Sequence, residues 1–432
     1  MNAPTFTTNK QRQRDTPAGR NTTHMKNRLV KRLAVGAVAL SLVAAACGDD
    51  SDSGESTADT TAATEETTAT GDTTATADTT AAAAAECTEP TKLKLQLQWF
   101  IQAQFAGYFA AQDQGYYADQ CLDVEIVEGG VDIVPQQQLA DGAVDFALSW
   151  VPKALASREA GANIVNIAQV FQRSGTLQVS FKDKAITSAA DFKGKKIGNW
   201  GFGNEFEIFA ALTKAGLDPA KDVELVQQQF DMAALLAGDI DAAEAMTYNE
   251  YAQVLEAKNP ETGELYKPED LNVVSYEAEG VGMLQDAIWA SGEKLASDEA
   301  YKANAVKFVA ASLKGWAYCR DNAESCRDIV VAKGSKLGNS HQLWQMNEVN
   351  KLIWPAAGGV GAIDAAAWDR TAALAQETKN LEGKTVLTKA PDAEAYTNDI
   401  VTEALALLEA DGVDTKGDGF APIEVTLNEG GN

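Results

Sequence analysis

From about Thr91 onward, short segments in which apolar and polar residues alternate are followed by longer segments in which apolar residues recur at helical spacing. Lys92–Gln98 alternates leucine with lysine or glutamine and predicts a strand. Further strands are predicted at Leu122–Val127, Phe146–Ser149, Ile164–Phe171, Leu177–Phe181, Lys196–Trp200, Val223–Gln227 and Ala242–Met246. Helices are predicted at Gln104–Gln114, Pro135–Asp141, Pro152–Ala160, Asn204–Ala215 with Asn204 as N-cap, Met232–Ala237, around Tyr251–Ala257, and Ala395–Ala410. Strands that alternate with helices indicate an α/β fold with mainly parallel sheets.

The order of these elements divides the folded part of the chain into two lobes. We expect lobe 1 to comprise residues 87–181 and 276–432, and lobe 2 to comprise residues 182–275. The chain then crosses between the lobes at least twice. A segment rich in proline, glycine and charge, Lys258–Asp270, is predicted to be a loop.

Residues 1–46 have the pattern of a secretory signal peptide. Four basic residues within Lys26–Arg32 precede the apolar run Leu33–Ala46, which ends in small residues before Cys47. This run of 14 residues is shorter than the roughly 20 that a transmembrane helix needs. Met25 is a better start than Met1, because the residues before it are polar and only lengthen the basic region.

The segment around Cys47 resembles a bacterial lipobox, in which the cysteine is diacylated and becomes the new N-terminus. The alternative is a plain cleavage site beside an incidental cysteine. The residues that follow, 49–86, are almost all Thr, Ala, Asp, Glu, Ser and Gly, so they cannot offset their ordering entropy by burial. We therefore expect lipidation of Cys47 and a disordered tether over 47–86. The mature protein is then exported and lipid-anchored to the outer face of the bacterial cell membrane.

The charge of the chain excludes several classes of partner. The sequence has 62 acidic and 36 basic residues, a formal net charge of −26. Nucleic acids and anionic membrane surfaces both require clustered basic residues, so neither is expected as a partner. The only histidines are His24 and His341, which cannot build a histidine-rich metal site. No metal and no cofactor are predicted.

Four cysteines follow Cys47, and an even number in an exported chain indicates disulfide bonds. Three pairings are open. We favour Cys87–Cys121, because each precedes a predicted strand and the N-terminal ends of parallel neighbours adjoin. Cys319–Cys326, seven residues apart, is then the second bond. No C-x-x-C spacing is present, which disfavours redox catalysis and zinc binding.

Several motifs occur together in the folded part. The first series is Leu97-Gln98-Trp99, Gln104-Phe105-Ala106-Gly107-Tyr108-Phe109-Ala110-Ala111, Gly115-Tyr116-Tyr117 and Leu122-Asp123-Val124. Two further motifs are Asp191-Phe192-Lys193-Gly194-Lys195-Lys196-Ile197-Gly198 and Gly238-Asp239-Ile240-Asp241-Ala242. Together they resemble one group of ABC-transporter receptors, the solute-binding proteins for thiamine pyrimidine precursors, riboflavin, and alkylsulfonates or taurine. Thr247-Tyr248-Asn249-Glu250-Tyr251 and Gln342-Leu343-Trp344-Gln345-Met346-Asn347-Glu348 are similar to the branch that binds pyrimidines and flavins.

The resemblance covers about residues 87–432 and implies a two-lobed periplasmic-binding-protein fold of type II, with the ligand in the interlobe cleft. It implies a monomeric receptor, not an enzyme, that captures riboflavin or a thiamine pyrimidine precursor by cleft closure and delivers it to an ABC permease. A receptor for alkylsulfonate or taurine-like anions is the first alternative. It is disfavoured because the motifs singled out as ligand-binding contain no arginine. A thiamine pyrimidine synthase-like enzyme is the second alternative, but such enzymes carry a cysteine cluster and an N-terminal-lobe histidine that this chain lacks.

Candidate ligand-binding residues follow the predicted strands, since the carboxyl ends of strands in open α/β sheets face the ligand crevice. Tryptophan at such a position can stack on a flat ring, although a core tryptophan is the structural alternative. Free amides at a helix start can hold an anion or a carbonyl oxygen, and tyrosine, amide and carboxylate together can bind the edge of a heterocycle. The predicted residues are Trp99, Gln104, Tyr108, Trp150, Trp200, Asn204, Glu205, Tyr248, Asn249 and Glu250.

Overall fold

The computed structural model describes residues 87–201 and 203–432, which contain ten strands and thirteen α-helices. The strands are β1 Thr91–Gln96, β2 Leu122–Val127, β3 Phe146–Trp150, β4 Ile164–Gln169, β5 Thr176–Phe181, β6 Lys196–Asn199, β7 Glu224–Gln227, β8 Ala243–Met246, β9 Leu271–Ser275 and β10 Asp286–Ser291. The helices are α1 Ala106–Asp113, α2 Tyr116–Asp119, α3 Pro135–Ala140, α4 Val151–Glu159, α5 Phe206–Lys214, α6 Ala233–Leu236, α7 Glu250–Leu255, α8 Gly292–Ser297, α9 Glu299–Asp321, α10 Ala323–Ala332, α11 Asn339–Ile353, α12 Ala365–Glu377 and α13 Asp399–Ala410. Short 3₁₀ helices lie at Ala103–Phe105, Lys182–Lys184, Ala189–Phe192, Pro268–Asp270 and Glu429–Gly431. The predicted signal peptide, Cys47 and the tether lie outside the described residues.

The predicted strands correspond to β1–β8, with ends that shift by one or two residues. The predicted N-cap at Asn204 is wrong. Helix α5 begins at Phe206 after Glu205, which makes no side-chain capping bond. The Asn204 amide instead donates to the Gly201 carbonyl oxygen at 2.8 Å, which closes the turn before the helix.

The first sheet has the strand order β2-β1-β3-β10-β4. β1 pairs in parallel with β2 and β3, whereas β10 pairs antiparallel with β3 and β4. The expectation of mainly parallel sheets is therefore only partly correct. β10 follows β9 of the other sheet without a crossover helix between them, so it enters the first sheet from the opposite end and runs against its neighbours.

The second group of strands has β5 at the centre of the order β8-β5-β9, with antiparallel pairing on both sides. β6 and β7 pair in parallel, and a parallel bridge between Ile197 and Ala242 brings β6 beside β8. Because β5 pairs with these strands, a boundary after residue 181 would separate it from its partners. We keep the two-lobe division as a proposal and move its first boundary to the segment before Thr176.

Helices cover the faces of both sheets, and their apolar sides form the core. The largest buried cluster joins α1, α9 and α11 to the first sheet and contains Phe146, Phe308 and Trp316, each fully buried. Phe146 stacks on Phe308 with ring centroids 4.3 Å apart. Within the described part of the chain, no helix combines the length and apolar character needed to cross a bilayer.

Both predicted disulfides are present. Cys87 and Cys121 have Cα atoms 5.4 Å apart, at the N-terminal ends of the adjacent parallel strands β1 and β2. Cys319 and Cys326, with Cα atoms 5.5 Å apart, join the end of α9 to α10. The argument from neighbouring strand ends therefore gave the correct pairing.

We expect the Cys87→Ser/Cys121→Ser double variant to lose about 3–4 kcal/mol of unfolding free energy, since the bond closes a long loop in the unfolded chain. The sequence separation is 34 residues, and neither cysteine belongs to the buried core. Denaturant unfolding of the variant and of the native chain measures the difference. Unchanged stability would mean that the unfolded chain is not restrained by this bond.

Candidate ligand-binding site

Six loops that follow the carboxyl ends of parallel strands meet at one cavity of about 480 Å³. β1, β2 and β3 contribute from the first sheet, and β6, β7 and β8 contribute from the second group. The loop after β2 supplies a run of lining residues from Gly130 to Gln136. The cavity thus lies where an open α/β sheet is expected to bind its ligand.

Aromatic rings line the cavity from both sheets. Trp99 after β1 lies 4.8 Å from Phe230 after β7, measured between ring centroids. Phe230 in turn stacks on Trp200 after β6 at 6.2 Å, with planes 20° apart. Trp150 and Tyr248 also line the cavity. These rings offer flat apolar faces against which a planar ligand can stack.

Asp286 organises the polar side chains of the first sheet. It is the first residue of β10 and pairs with Trp150 of β3, so its carboxylate lies at the same edge as the loops. Gln98 donates to it at 2.6 Å, the Trp150 indole N–H at 2.9 Å, and Gln104 at 3.0 Å. Burial raises the pKa of Asp286 to about 6, against the opposing effect of these donors and of Lys153. The carboxylate fixes the orientation of three side chains that line the cavity.

Lys153 of α4 is the one basic side chain among the described residues that line the cavity. Its Nζ donates to Asn204 Oδ1 at 2.7 Å and lies 5.0 Å from the centroid of the Trp150 ring. Burial lowers its pKa to about 8, and the carboxylates of Glu244, Glu205 and Asp286 oppose that effect. The bond to Asn204 connects α4 to the loop before α5, across the cavity.

Asn249 and Glu250, at the start of α7, line the cavity after β8. Both are buried, and Asn249 Nδ2 donates to Glu250 Oε1 at 2.8 Å. The other carboxylate oxygen accepts from the Met246 backbone N–H at 3.0 Å. Burial raises the pKa of Glu250 to about 7. This part of the lining presents a carboxyl group whose charge changes near neutral pH.

Eight of the ten predicted residues line the cavity, namely Trp99, Gln104, Trp150, Trp200, Asn204, Tyr248, Asn249 and Glu250. Tyr108 does not, because it faces the core on α1 and packs edge-on against Trp316 with centroids 5.7 Å apart. Glu205 does not either, since its carboxylate accepts from the Gly203 backbone N–H at 2.9 Å. The sequence analysis did not identify four further lining residues, Gln98, Gln102, Lys153 and Phe230. It also did not identify Asp286, which orients three lining side chains. The position of Phe230 just after a predicted strand was a signal that could have found it.

No group of three or more His, Cys, Asp or Glu side chains in residues 87–201 and 203–432 is arranged to hold a metal ion. The lining instead combines aromatic rings with amide, carboxyl and single amino groups. Such a surface suits an uncharged or weakly charged organic molecule that is flat and bears hydrogen-bonding edges.

Comparison with known proteins identifies the family of this chain. Residues 102–325, more than half of the 432 residues, match the family described as NMT1/THI5 like. This chain belongs to the NMT1/THI5-like family. The match includes β2–β10 and every described residue that lines the cavity except Gln98 and Trp99, whereas β1 precedes it.

Three relatives of this chain have names that state a function. A thiamine biosynthesis protein of Haemophilus influenzae is 29% identical over 43% of this chain, which spans only 59% of that relative. A formylaminopyrimidine-binding protein of Halalkalibacterium halodurans is 24% identical over 55% of this chain and 69% of its own length. A riboflavin-binding protein of Chloroflexus aurantiacus is 26% identical over 67% of this chain and 82% of its own length.

Solved structures show the fold. A periplasmic sulfonate-binding protein from Methylobacillus flagellatus has a TM-score of 0.56 at 17% identity and covers 78% of this chain and 99% of its own. A ligand-binding component of an ABC-type import system from Staphylococcus aureus has a TM-score of 0.52 at 13% identity, covering 73% and 99%. The NMT1/THI5-like chain thus has the two-lobed α/β fold of periplasmic binding proteins, as the sequence motifs implied.

Proposed function

We propose that this protein is the solute-binding component of an ABC importer and that it captures a planar heterocycle, riboflavin or a thiamine pyrimidine precursor. The observation that carries the proposal is the cavity of about 480 Å³, into which both groups of strands contribute aromatic rings. Stacking between such rings is favourable by roughly 0.5–1.5 kcal/mol beyond burial. In the same proposal, the protein is exported as a monomer and is anchored to the membrane by a lipid on Cys47. It delivers its ligand to a membrane permease.

The polar groups support a heterocycle with both donors and acceptors on its edges. Glu250 supplies a carboxyl acceptor where it lines the cavity, and the Asn249 amide nitrogen beside it is a donor.

A sulfonate or similar anion is supported less well. The lining includes the carboxyl groups of Asp132 and Glu250 and a single lysine, with no arginine among its described members. Lys153 already donates to Asn204, and three carboxylates surround it. An anion entering this cavity would meet more negative than positive charge, at an energetic cost.

An enzymatic role is also supported less well by the residues of this chain. All four described cysteines are joined in disulfides, so none is a free thiol. The described part has one histidine, His341, whose two ring nitrogens face Glu256 and Asn249. Its buried position behind the cavity gives it no direct approach to a bound molecule.

The test is a titration of the purified protein with riboflavin, a formylaminopyrimidine and taurine, followed by tryptophan fluorescence and thermal unfolding. We expect saturable quenching and a raised melting temperature with riboflavin or the pyrimidine. Trp99→Ala should weaken that binding by about tenfold, because removal of one stacking wall costs roughly 1.4 kcal/mol. Trp368→Phe is the matched control, since Trp368 is buried against Tyr396 outside the cavity. A response to taurine alone would favour the sulfonate alternative, and no response to any of them would contradict the proposed ligand class.

A further inference from the structure

Four side chains form an unbroken hydrogen-bonded row that runs from the cavity lining into the interior. His341 Nδ1 lies 2.8 Å from Glu256 Oε1, and His341 Nε2 lies 3.0 Å from Asn249 Oδ1. Asn249 Nδ2 continues the row to Glu250 Oε1 at 2.8 Å. All four residues are buried, and His341 has 1% of its surface exposed. Asn249 and Glu250 line the cavity, whereas His341 and Glu256 do not.

The polarity of the row is fixed at its cavity end. Glu250 Oε2 accepts from the Met246 backbone, and its Oε1 faces the Asn249 amide nitrogen. Asn249 must then turn its oxygen toward His341. Both ring nitrogens of His341 therefore face acceptors, the Glu256 carboxylate and the Asn249 oxygen, and this arrangement is satisfied when both nitrogens carry hydrogen.

We propose that His341 is a positioning residue for ligand recognition: as a doubly protonated imidazole it holds the Asn249 amide with its nitrogen toward Glu250 and keeps that part of the cavity lining a hydrogen-bond acceptor. The proposal rests on the proposed function, because it assigns to the same cavity a preference for ligands with an N–H or amino edge. His341 itself does not touch the ligand. It acts through Asn249.

The charged groups around His341 are consistent with this role. Glu256 of α7 pairs directly with the ring, and the C-terminal segment covers it, with Gly430 donating to the Glu256 carbonyl oxygen at 3.2 Å. Lys258 and Glu429 pair with each other at 2.6 Å. On the cavity side, burial raises the pKa of the Glu250 carboxyl, and hydrogen bonds from the backbone and, to a lesser extent, a positive His341 lower it. Glu244, fully buried, is a further carboxylate near Glu250.

The protonation state can be measured without any ligand. Residues 47–432 contain one histidine, so histidine-selective ¹⁵N labelling of the mature protein gives the ring signals of His341, and His341→Gln removes them. We expect both His341 nitrogens to carry hydrogen, because each faces an acceptor. A single protonated nitrogen would overturn the proposal, because Asn249 would then donate to the ring and a protonated Glu250 would donate to Asn249.

Two substitutions separate positioning from packing. Glutamine at 341 can place an N–H near the former Nε2, toward Asn249, whereas asparagine can place one only near the former Nδ1, toward Glu256. With riboflavin as the probe, or the formylaminopyrimidine if that is the compound that binds, His341→Asn should weaken binding about five- to tenfold. His341→Gln should stay within about threefold of the native protein, since one hydrogen bond contributes roughly 1 kcal/mol. Equal losses in both variants, parallel to losses of thermal stability, would show a merely structural role.

The pH dependence of binding provides a second readout. A carboxyl group with a raised pKa is protonated as pH falls through that value, so Glu250 loses its acceptor charge below about pH 7. Affinity for a ligand that donates to it should fall over the same range. Both variants lack the positive ring that lowers the pKa of Glu250. The loss of affinity should therefore begin at a higher pH in both variants. An identical pH profile in all three proteins would contradict the proposal, whereas absence of binding by every compound would refute the proposed function and leave the NMR result standing.

Discussion

Replacing Asp286 with alanine is expected to weaken ligand binding by more than 100-fold. Gln98, Gln104 and the Trp150 indole all donate to this carboxylate, and all three line the cavity. Hydrogen bonds to a charged group contribute about 1.5–3 kcal/mol each, and a 100-fold loss corresponds to about 2.8 kcal/mol. Without the carboxylate, the three donor side chains would lose their fixed orientation and would hydrogen-bond to water instead. The cavity would then no longer be preformed for a ligand.

Asp286→Asn is the matched control for this prediction. One oxygen remains to accept from Gln98 and Trp150, but an amide nitrogen then meets the Gln104 nitrogen. Gln104 cannot turn without giving up the 2.6 Å bond that its oxygen accepts from Gln102. We expect an intermediate loss of about tenfold, corresponding to roughly 1.4 kcal/mol. Fluorescence titration of both variants, with near-ultraviolet circular dichroism to verify folding, measures the effect; native affinity in a folded Asp286→Ala would contradict it.

Gly315→Val is expected to destabilise the protein by more than about 4 kcal/mol, because α1 and α9 touch through their backbones. A Cβ atom at Gly315 would lie 2.0 Å from the Gly107 carbonyl oxygen and 2.9 Å from the Ala111 nitrogen. On the other side of the same contact, a Cβ at Gly107 would lie 2.3 Å from the Trp316 ring. Neither helix can give way locally, since the opposing atoms are backbone or a fully buried ring.

The control for Gly315→Val is Gly419→Val, because a Cβ at Gly419 meets no atom within 4 Å. Urea unfolding of the two variants should show a large loss for position 315 and a change of about 0.5 kcal/mol or less for position 419. Comparable stability of the two variants would mean that α1 and α9 can separate without loss of the surrounding packing.

The sequence predicted the cavity largely through one rule, that functional residues follow the carboxyl ends of strands. That rule found Trp99, Trp150, Trp200 and Tyr248, because each lies at or within three residues of the end of a strand whose pattern is readable. It failed for Asp286, which begins a strand rather than ending one. β10 is buried on both faces, so its residues show no alternation of apolar and polar positions that would reveal it.

Two other errors arose where local pattern leaves tertiary contacts open. Tyr108 belongs to a helix that is buried on nearly every side, so spacing could not tell which side faces the cavity and which faces Trp316. The placement of β5 in lobe 1 did not anticipate its pairing with β8 and β9, because an antiparallel strand that passes directly between sheets has no helix to mark the crossing. Such features depend on which strands meet, and chain order does not fix this.

The disulfide at Cys87 has a mechanical consequence. It clamps β1 to β2 at the N-terminal edge of the first sheet, whereas the cavity lies at the carboxyl edge of the same strands. Six residues of β1 separate these edges by about 20 Å. A pulling force applied to the chain before Cys87 acts along β1 and β2, which the disulfide joins. The force does not act on the loops around the cavity. Immobilising the protein by its N-terminal side on a sensor surface therefore leaves the mouth of the cavity unloaded and facing the solution.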